Sequence, residues 1–482
     1  MKKKSVVKNY IYNLIYQVAA IILPILTTPY LSRVLGAEKI GIYSYTLSIV
    51  TYFILIGSLG VNLYGQKEIA YCQNNKEERS YTFFEIFFMK CVTLSISMII
   101  FYFVFALNGE YSVYYKILLL EIFANIIDIS WFFQGMEEFK KTVTRNMIVK
   151  IISTILIFVL IKKPEDLFKY FLIYVLSTLI GNATLWFYLP KFVIKINMKK
   201  MKITRHLKPT IVLFIPQIAT QIYTVLDKTM IGSMISEKSE VGYYEQSQKI
   251  VKLLLTIITS LGTVMLPRVS NYFVNKEFDK IKKSIYESFK FTFFIGIPIM
   301  LGIISVAKSF VPIFFGDGYD KVVIIIQIIS AIVILIGITN IIGAQYLLPV
   351  KREKEYTISV IAGAVVNVVF NYVLIKKYMS VGAAVATVLS EGIVTIIQVY
   401  SIKNEFDILE IIKNIKNYIW SGIAMFIVST CCQFFIKTGL KCLIIQIALG
   451  AITYIVILIL AKDEMIQKLF NIMKKRVKKE GI

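Results

Sequence analysis

Residues 322–338 read VVIIIQIISAIVILIGI, with one amide and one hydroxyl as the polar side chains in the run. A bilayer's hydrocarbon core is spanned by about 20 mainly apolar residues rising 1.5 Å each. One such run could be an anchor or the centre of a large core. Walking outward in both directions gives fourteen stretches of similar length, among them 10–33, 41–65, 113–134, 143–161, 210–234 and 241–266. The chain is 57% hydrophobic over 482 residues, with a mean hydropathy of +0.70. Ordinary soluble chains are about half apolar. The sequence therefore reads as an all-α integral membrane protein with about fourteen transmembrane helices.

The formal charge of +24 is spread as short clusters between the apolar runs and at both ends. Alternate segments are rich in Lys and Arg, seven of them between Lys191 and Lys208 and seven between Lys462 and Lys479. The positive-inside rule places those segments, and both termini, in the cytoplasm. The expected location is a plasma or inner membrane crossed many times. No basic groove interleaved with aromatic residues appears, which argues against nucleic acid as a partner. The basic start, Met1 to Lys8, imitates a secretory signal, but no small-residue cleavage site follows, so the first stretch reads as an uncleaved span. Cys72, Cys91, Cys431, Cys432 and Cys442 lack CxxC spacing and read as small apolar side chains.

An internal repeat is visible. Ile40-Gly41-Ile42-Tyr43 and Val241-Gly242-Tyr243-Tyr244 each follow a long apolar run, and their glycines are 201 positions apart, 242 against 41. The expected organisation is an N-terminal lobe of six spans over 1–190 and a basic cytoplasmic linker over 191–209. A C-terminal lobe of six spans over 210–403, a helix pair over 404–461 and a basic tail over 462–482 follow. With an even number of spans in the first lobe, the repeats are parallel, and transporters place cargo between such repeats.

Ionisable residues inside spans cost about 2.5 to 3.5 kcal/mol each on insertion scales, so each asks for a reason. Lys249 lies eight positions into the eighth span, and Glu245, Gln248, Lys249 and Lys252 share one helical face. Lysines there suit a releasable contact with phosphate. An ion pair of Glu245 with Lys249, or lysines reaching for headgroups, is the structural alternative. Lys90, Lys228 and Arg33 are further candidates for a cationic site, each with a reading as a snorkelling, paired or helix-end charge. Glu121, Asn125 and Asp128 fall on one face of the fourth span. With Asp227 and Glu245, the acids Glu121 and Asp128 suggest coupling to H⁺ or Na⁺; polar bonding between helices is the other use. Gln17, Gln217, Gln221, Gln248, Asn340, Asn367 and Asn371 suit sugar hydroxyls, or one another.

Catalysis finds little support. The sole histidine, His206, sits in the basic linker, and no nucleophile grouping, metal-ligand set or Walker-type loop is present. Gly316-Asp317-Gly318 reads as a turn. No cofactor is implied, and energy would come from an ion or the membrane potential.

Several ordered motifs resemble the Wzx type of polysaccharide-repeat-unit flippases, in the superfamily that also holds MATE exporters and lipid II flippases. They are Pro29-Tyr30-Leu31-Ser32-Arg33-Val34-Leu35-Gly36, Trp131-Phe132-Phe133-Gln134-Gly135-Met136-Glu137 with Arg145-Asn146, Leu226-Asp227-Lys228-Thr229-Met230-Ile231-Gly232, and Leu266-Pro267-Arg268. The resemblance implies a V-shaped, MATE-like arrangement of two lobes and a central cationic cavity. It also implies flipping of undecaprenyl-diphosphate-linked oligosaccharides for capsule, O-antigen or exopolysaccharide assembly. The cargo lipid, membrane lipids, a polymerase and a chain-length regulator are the implied partners. Where lipid II flippases carry an arginine in the eighth helix, this sequence has Lys249, which favours the Wzx branch. Two alternatives stand beside it, a multidrug or metabolite exporter and a non-catalytic scaffold of a polysaccharide assembly complex.

Overall fold

A backbone inside hydrocarbon must satisfy its own hydrogen bonds, and the described residues of this chain do so with helices and turns. The structure is a computed structural model. It describes the backbone of residues 6–436 and 439–468, and side chains there except 6–21, 213, 215–223, 263 and 414. The calls on Gln17, Gln217 and Gln221 therefore lie outside the described side chains.

The chain forms two units, Met1–Gly242 and Tyr243–Ile482. The first holds α1 (Val6–Ser58), α2 (Val61–Tyr71), α3 (Lys76–Phe101), α4 (Ser112–Ile126), α5 (Ser130–Gly135), α6 (Phe139–Leu160), α7 (Leu167–Trp186) and α8 (Leu207–Met234). α9 (Ser239–Val274) leads into the second, which adds α10 (Phe278–Phe315), α11 (Asp320–Ile329), α12 (Ile332–Thr339), α13 (Glu353–Ile402), α14 (Ile408–Phe435) and α15 (Leu440–Leu460). Among the described residues, eleven helical stretches are long and apolar enough to cross a membrane. Two of them are double. α1 turns at Gly36 (φ 75°), where a left-handed backbone suits glycine, and α13 turns at Met379 (φ 53°, ψ −130°), a conformation that strains a residue bearing a Cβ. Dividing both and adding the 28-residue α8 gives fourteen rods, the number read from hydropathy.

Four helix ends share one device. Glu137, Lys276, Lys351 and Lys462 are non-glycine residues at positive φ. The next amide in each case reaches back five residues: Glu138 to the Phe133 carbonyl at 2.8 Å, Glu277 to Tyr272 at 2.9 Å, Arg352 to Leu347 at 2.8 Å and Asp463 to Leu458 at 3.0 Å. This closure satisfies carbonyls that a helix end would leave bare, and it sets the direction of the following segment.

The basic linker is strapped down. Arg79 on α3 donates to the Phe192 carbonyl at 2.5 and 3.1 Å, and the Ile194 amide donates to Ser80 Oγ at 3.0 Å. Buried Glu85 accepts the Lys202 amide at 2.6 Å, Arg205 at 2.6 Å and His206 Nε2 at 2.9 Å. With Nε2 donating, His206 Nδ1 accepts the Tyr64 hydroxyl at 2.8 Å. Burial, followed by the Arg205 charge, lowers the His206 pKa from its ordinary value against the opposing pull of Glu85, so the ring is neutral at pH 7. The strap therefore fixes where α8 begins.

Candidate functional site

The fourth span is broken, and the break organises the polar groups of the first unit. α4 stops at Ile126 and α5 starts at Ser130, leaving carbonyls without helical partners. Three side chains from neighbouring helices take them. Lys90 Nζ on α3 donates to the Asp128 carbonyl at 2.9 Å, Asn182 Nδ2 on α7 to Ala124 at 2.8 Å, and Trp186 Nε1 to Ile127 at 2.8 Å. Asp128 Oδ1 accepts the Ser130 amide at 2.9 Å and the Ser130 hydroxyl. Arg145 on α6 completes the network, donating to Ser130 Oγ at 3.0 Å and to Asn182 Oδ1.

Beside this network, α1, α4, α6 and α7 enclose a cleft of about 510 Å³. α6 contributes Arg145, Asn146, Val149, Lys150, Ser153 and Thr154, a stripe at helical spacing; α7 contributes Tyr170, Tyr174, Ser177, Thr178 and Asn182. Glu121 and Asn125 on α4 and Asp128 in the break line it, so the three residues expected on one face do share the cleft. Glu121 is 5% exposed, its carboxylate is met by the Thr178 and Tyr174 hydroxyls, and its Oε2 has no hydrogen-bond partner among the described residues. A buried carboxylate with an open oxygen in a polar cleft can take a proton or a small cation, or accept a hydroxyl from a solute.

The remaining candidates fall into smaller groups. On α9, Lys252 donates to Gln248 Oε1 at 3.0 Å, Gln248 Nε2 donates to the Tyr244 hydroxyl at 3.2 Å, and that hydroxyl pairs with Thr387 Oγ1 at 2.9 Å. Gln248 is buried, Glu245 and Lys249 are half-buried and Lys252 is exposed, so the face shades from packed to open along the helix. Asn371 Nδ2 donates to Asn367 Oδ1 at 3.0 Å, both side chains fully buried on α13. Asn340 accepts Gln345 Nε2 at 3.1 Å. On α8, Asp227 is buried and Lys228 half-buried, while Arg33 on α1 is exposed.

Sequence reasoning missed Lys150, Tyr174, Thr178 and Asn182, and named Arg145 only as part of a family motif. Their signal was present as two polar stripes, at 145, 146, 149, 150, 153 and 154 and at 170, 174, 177, 178 and 182. Single-helix reading cannot say that the two stripes face each other.

Apolar helices of spanning length with a polar cleft among them define a multi-pass, all-α membrane protein. The fold agrees with solved relatives. A lipid II flippase MurJ in an inward closed conformation superposes with a TM-score of 0.75 at 16% identity, covering 94% of this chain and all of that one, 100%. An inward-facing multidrug resistance MATE transporter of the MOP superfamily superposes with a TM-score of 0.64 at 14% identity, over 83% of this chain and 96% of that one. The chain belongs to the polysaccharide biosynthesis protein family, which matches residues 6–273; the MatE family matches 213–373. It is similar to the putative O-antigen transporter of Escherichia coli K12, 26% identical over 83% of this chain and 98% of that protein. The capsular polysaccharide biosynthesis protein CapF of Staphylococcus aureus is 22% identical over 83% of this chain and 100% of that protein.

Proposed function

We propose that this protein is a flippase, not an enzyme. It carries undecaprenyl-diphosphate-linked oligosaccharide repeat units from the inner to the outer leaflet for capsule, O-antigen or exopolysaccharide assembly. The observation that carries the reading is the polar face of α9, Glu245, Gln248, Lys249 and Lys252 on a membrane-spanning helix of a chain in this family. The names of the two relatives above, an O-antigen transporter and a capsule biosynthesis protein, support the cargo class.

The mechanism follows from charge. A pyrophosphate cannot cross hydrocarbon bare, so Lys249 and Lys252, with Lys228 and Arg33 as further cations, offset its charge in a watered cleft while the lipid tail stays in the bilayer; Lys90, buried on the Asp128 carbonyl, is not among them. The amides Gln248, Asn340, Asn367 and Asn371 offer hydrogen bonds to sugar. The lobes, 1–190 and 210–403, rock to expose the cleft to one leaflet at a time, with both termini cytoplasmic. Glu121 is the residue best placed for ion coupling, with Asp128 as a second carboxylate in the same cleft. A polymerase and a chain-length regulator would receive the product.

Complementation tests the reading. A strain lacking its own flippase should regain polymer with the wild-type chain and lose it with Lys249→Ala, accumulating the lipid-linked intermediate. Glu121→Gln keeps shape and removes ionisation, so flipping in vesicles should lose its response to an imposed pH gradient. The MatE match over 213–373 supports a second reading, export of a soluble metabolite or drug. Survival of drug-challenged cells expressing the chain, with no rescue of polymer, would select it.

A further inference from the structure

The segment between α7 and α8 carries positive charge that its fastening leaves unspent. Residues 187–212 hold six lysines and Arg205 and no aspartate or glutamate. Arg205 is taken by Glu85. The six lysine side chains are exposed, and what the strap grips is the backbone and one ring. Phe192 gives its carbonyl to Arg79, and the Lys141 Nζ stands 4.0 Å from the centre of its ring. The Ile194 amide goes to Ser80, the Asn197 amide to the Tyr81 hydroxyl at 3.4 Å and the Lys202 amide to Glu85. These partners run along α3 from Arg79 to Glu85, about 9 Å of helix. The segment therefore lies along the first turns of a membrane-spanning helix instead of looping away from it.

Both of its ends are set at the same surface. Phe187 and Tyr188 are exposed where α7 stops, as are Leu207, Ile211 and Val212 where α8 starts. Apolar and aromatic side chains without protein cover mark the edge of the bilayer on each side. Between them Ile194 and Met198 are also open, 39% and 59% exposed, and they alternate with Lys195, Lys199 and Lys200. On a pinned segment that mixture suits the boundary of headgroups and acyl chains, where apolar side chains sink and lysines reach phosphate. A free loop could carry its lysines beyond the screening length of about 8 Å; this one is tied within it.

We infer that the linker is a dock for anionic phospholipid. Lys191, Lys195, Lys199, Lys200, Lys202 and Lys208 hold phosphate headgroups of the inner leaflet, and Ile194 and Met198 enter the chains beneath them. The inference rests on the cytoplasmic placement of the linker and is independent of the cargo. It gives the strap a purpose, which is to present the lysines at headgroup depth and to fix the start of α8 there.

The test measures which lipid sits at the linker. Met198→Cys in the full chain is coupled to a fluorophore, with the chain carrying native cysteines alone as the blank. The protein is reconstituted into phosphatidylcholine vesicles that contain either brominated phosphatidylglycerol or brominated phosphatidylcholine. Bromine quenches on contact, so the two signals give the relative affinity. Phosphatidylglycerol should be preferred about fivefold or more, the factor that a single lysine near the surface supplies, and high salt should remove most of the preference. Lys195→Gln with Lys199→Gln and Lys200→Gln should bring the ratio close to one. The same loss of three charges at Lys276, Lys282 and Lys283, exposed between α9 and the first turns of α10, should leave it unchanged. Equal quenching by both lipids, an equal loss in the control variant, or no quenching at all would overturn the inference. Displacement of the brominated phosphatidylglycerol by undecaprenyl diphosphate at equal added charge would give the lysines to cargo and overturn it as well.

Discussion

The break between α4 and α5 and the polar face of α9 use the same residue types for different ends. At the break, Lys90, Asn182 and Trp186 are spent on backbone carbonyls that a straight helix would have satisfied itself. On α9 the polar face lies on an unbroken stretch of helix, and Gln248 bonds to both Lys252 and Tyr244. Arg352 shows the rule holding in the second unit. It follows the left-handed Lys351, and its guanidinium donates to the Ser401 carbonyl at 2.9 Å and to Glu355 at 2.9 Å. A polar residue beside a helix end or break serves the chain; those on α9 are the ones proposed to meet cargo.

The largest effect expected from that contrast is on export. Removing a charge-assisted phosphate contact costs about 1.5–3 kcal/mol, or roughly 10- to 150-fold, so Lys249→Ala should lower flipping by that factor while the melting temperature of the purified protein holds. Lys90→Ala should do the reverse in kind. It leaves a buried carbonyl without its donor, and stability should fall by about 1–3 kcal/mol, read as a lower midpoint in thermal unfolding. A Lys90 variant that melts normally and fails to transport would erase the distinction.

A smaller effect belongs to the strap. Because burial depresses the folded-state pKa of His206, the contribution of the neutral ring is present above its unfolded value and is lost as pH falls through the folded one. Thermal stability of the wild type should therefore decline more steeply than that of His206→Gln below about pH 6.5, the ordinary value for histidine. The smallest effect is at the surface. Lys468 and Glu287 form an exposed pair at 3.4 Å, and Lys468→Ala should move stability by no more than about 0.5 kcal/mol.

The spans were legible because length and apolarity are local properties, and a run such as 322–338 has few other uses. The carboxylate face of α4 was legible for the same reason, since Glu121, Asn125 and Asp128 repeat at helical spacing. The role of Lys90 was not. Nothing in Ile126-Ile127-Asp128-Ile129-Ser130 announces a break, there being no proline or glycine, so the need for an external donor arises only in three dimensions. Arg145 and Asn182 were obscured likewise, because their partners stand on other helices.

The strap also bears on biosynthesis. Tyr64, Arg79, Ser80, Glu85 and every linker residue that bonds to them precede residue 210. Once the chain has been made to that position, the early helices hold all the partners they need to be fastened to the basic linker. The strap's partners are thus complete before the remaining helices are made, which shortens the interval in which half-made helices can pair wrongly.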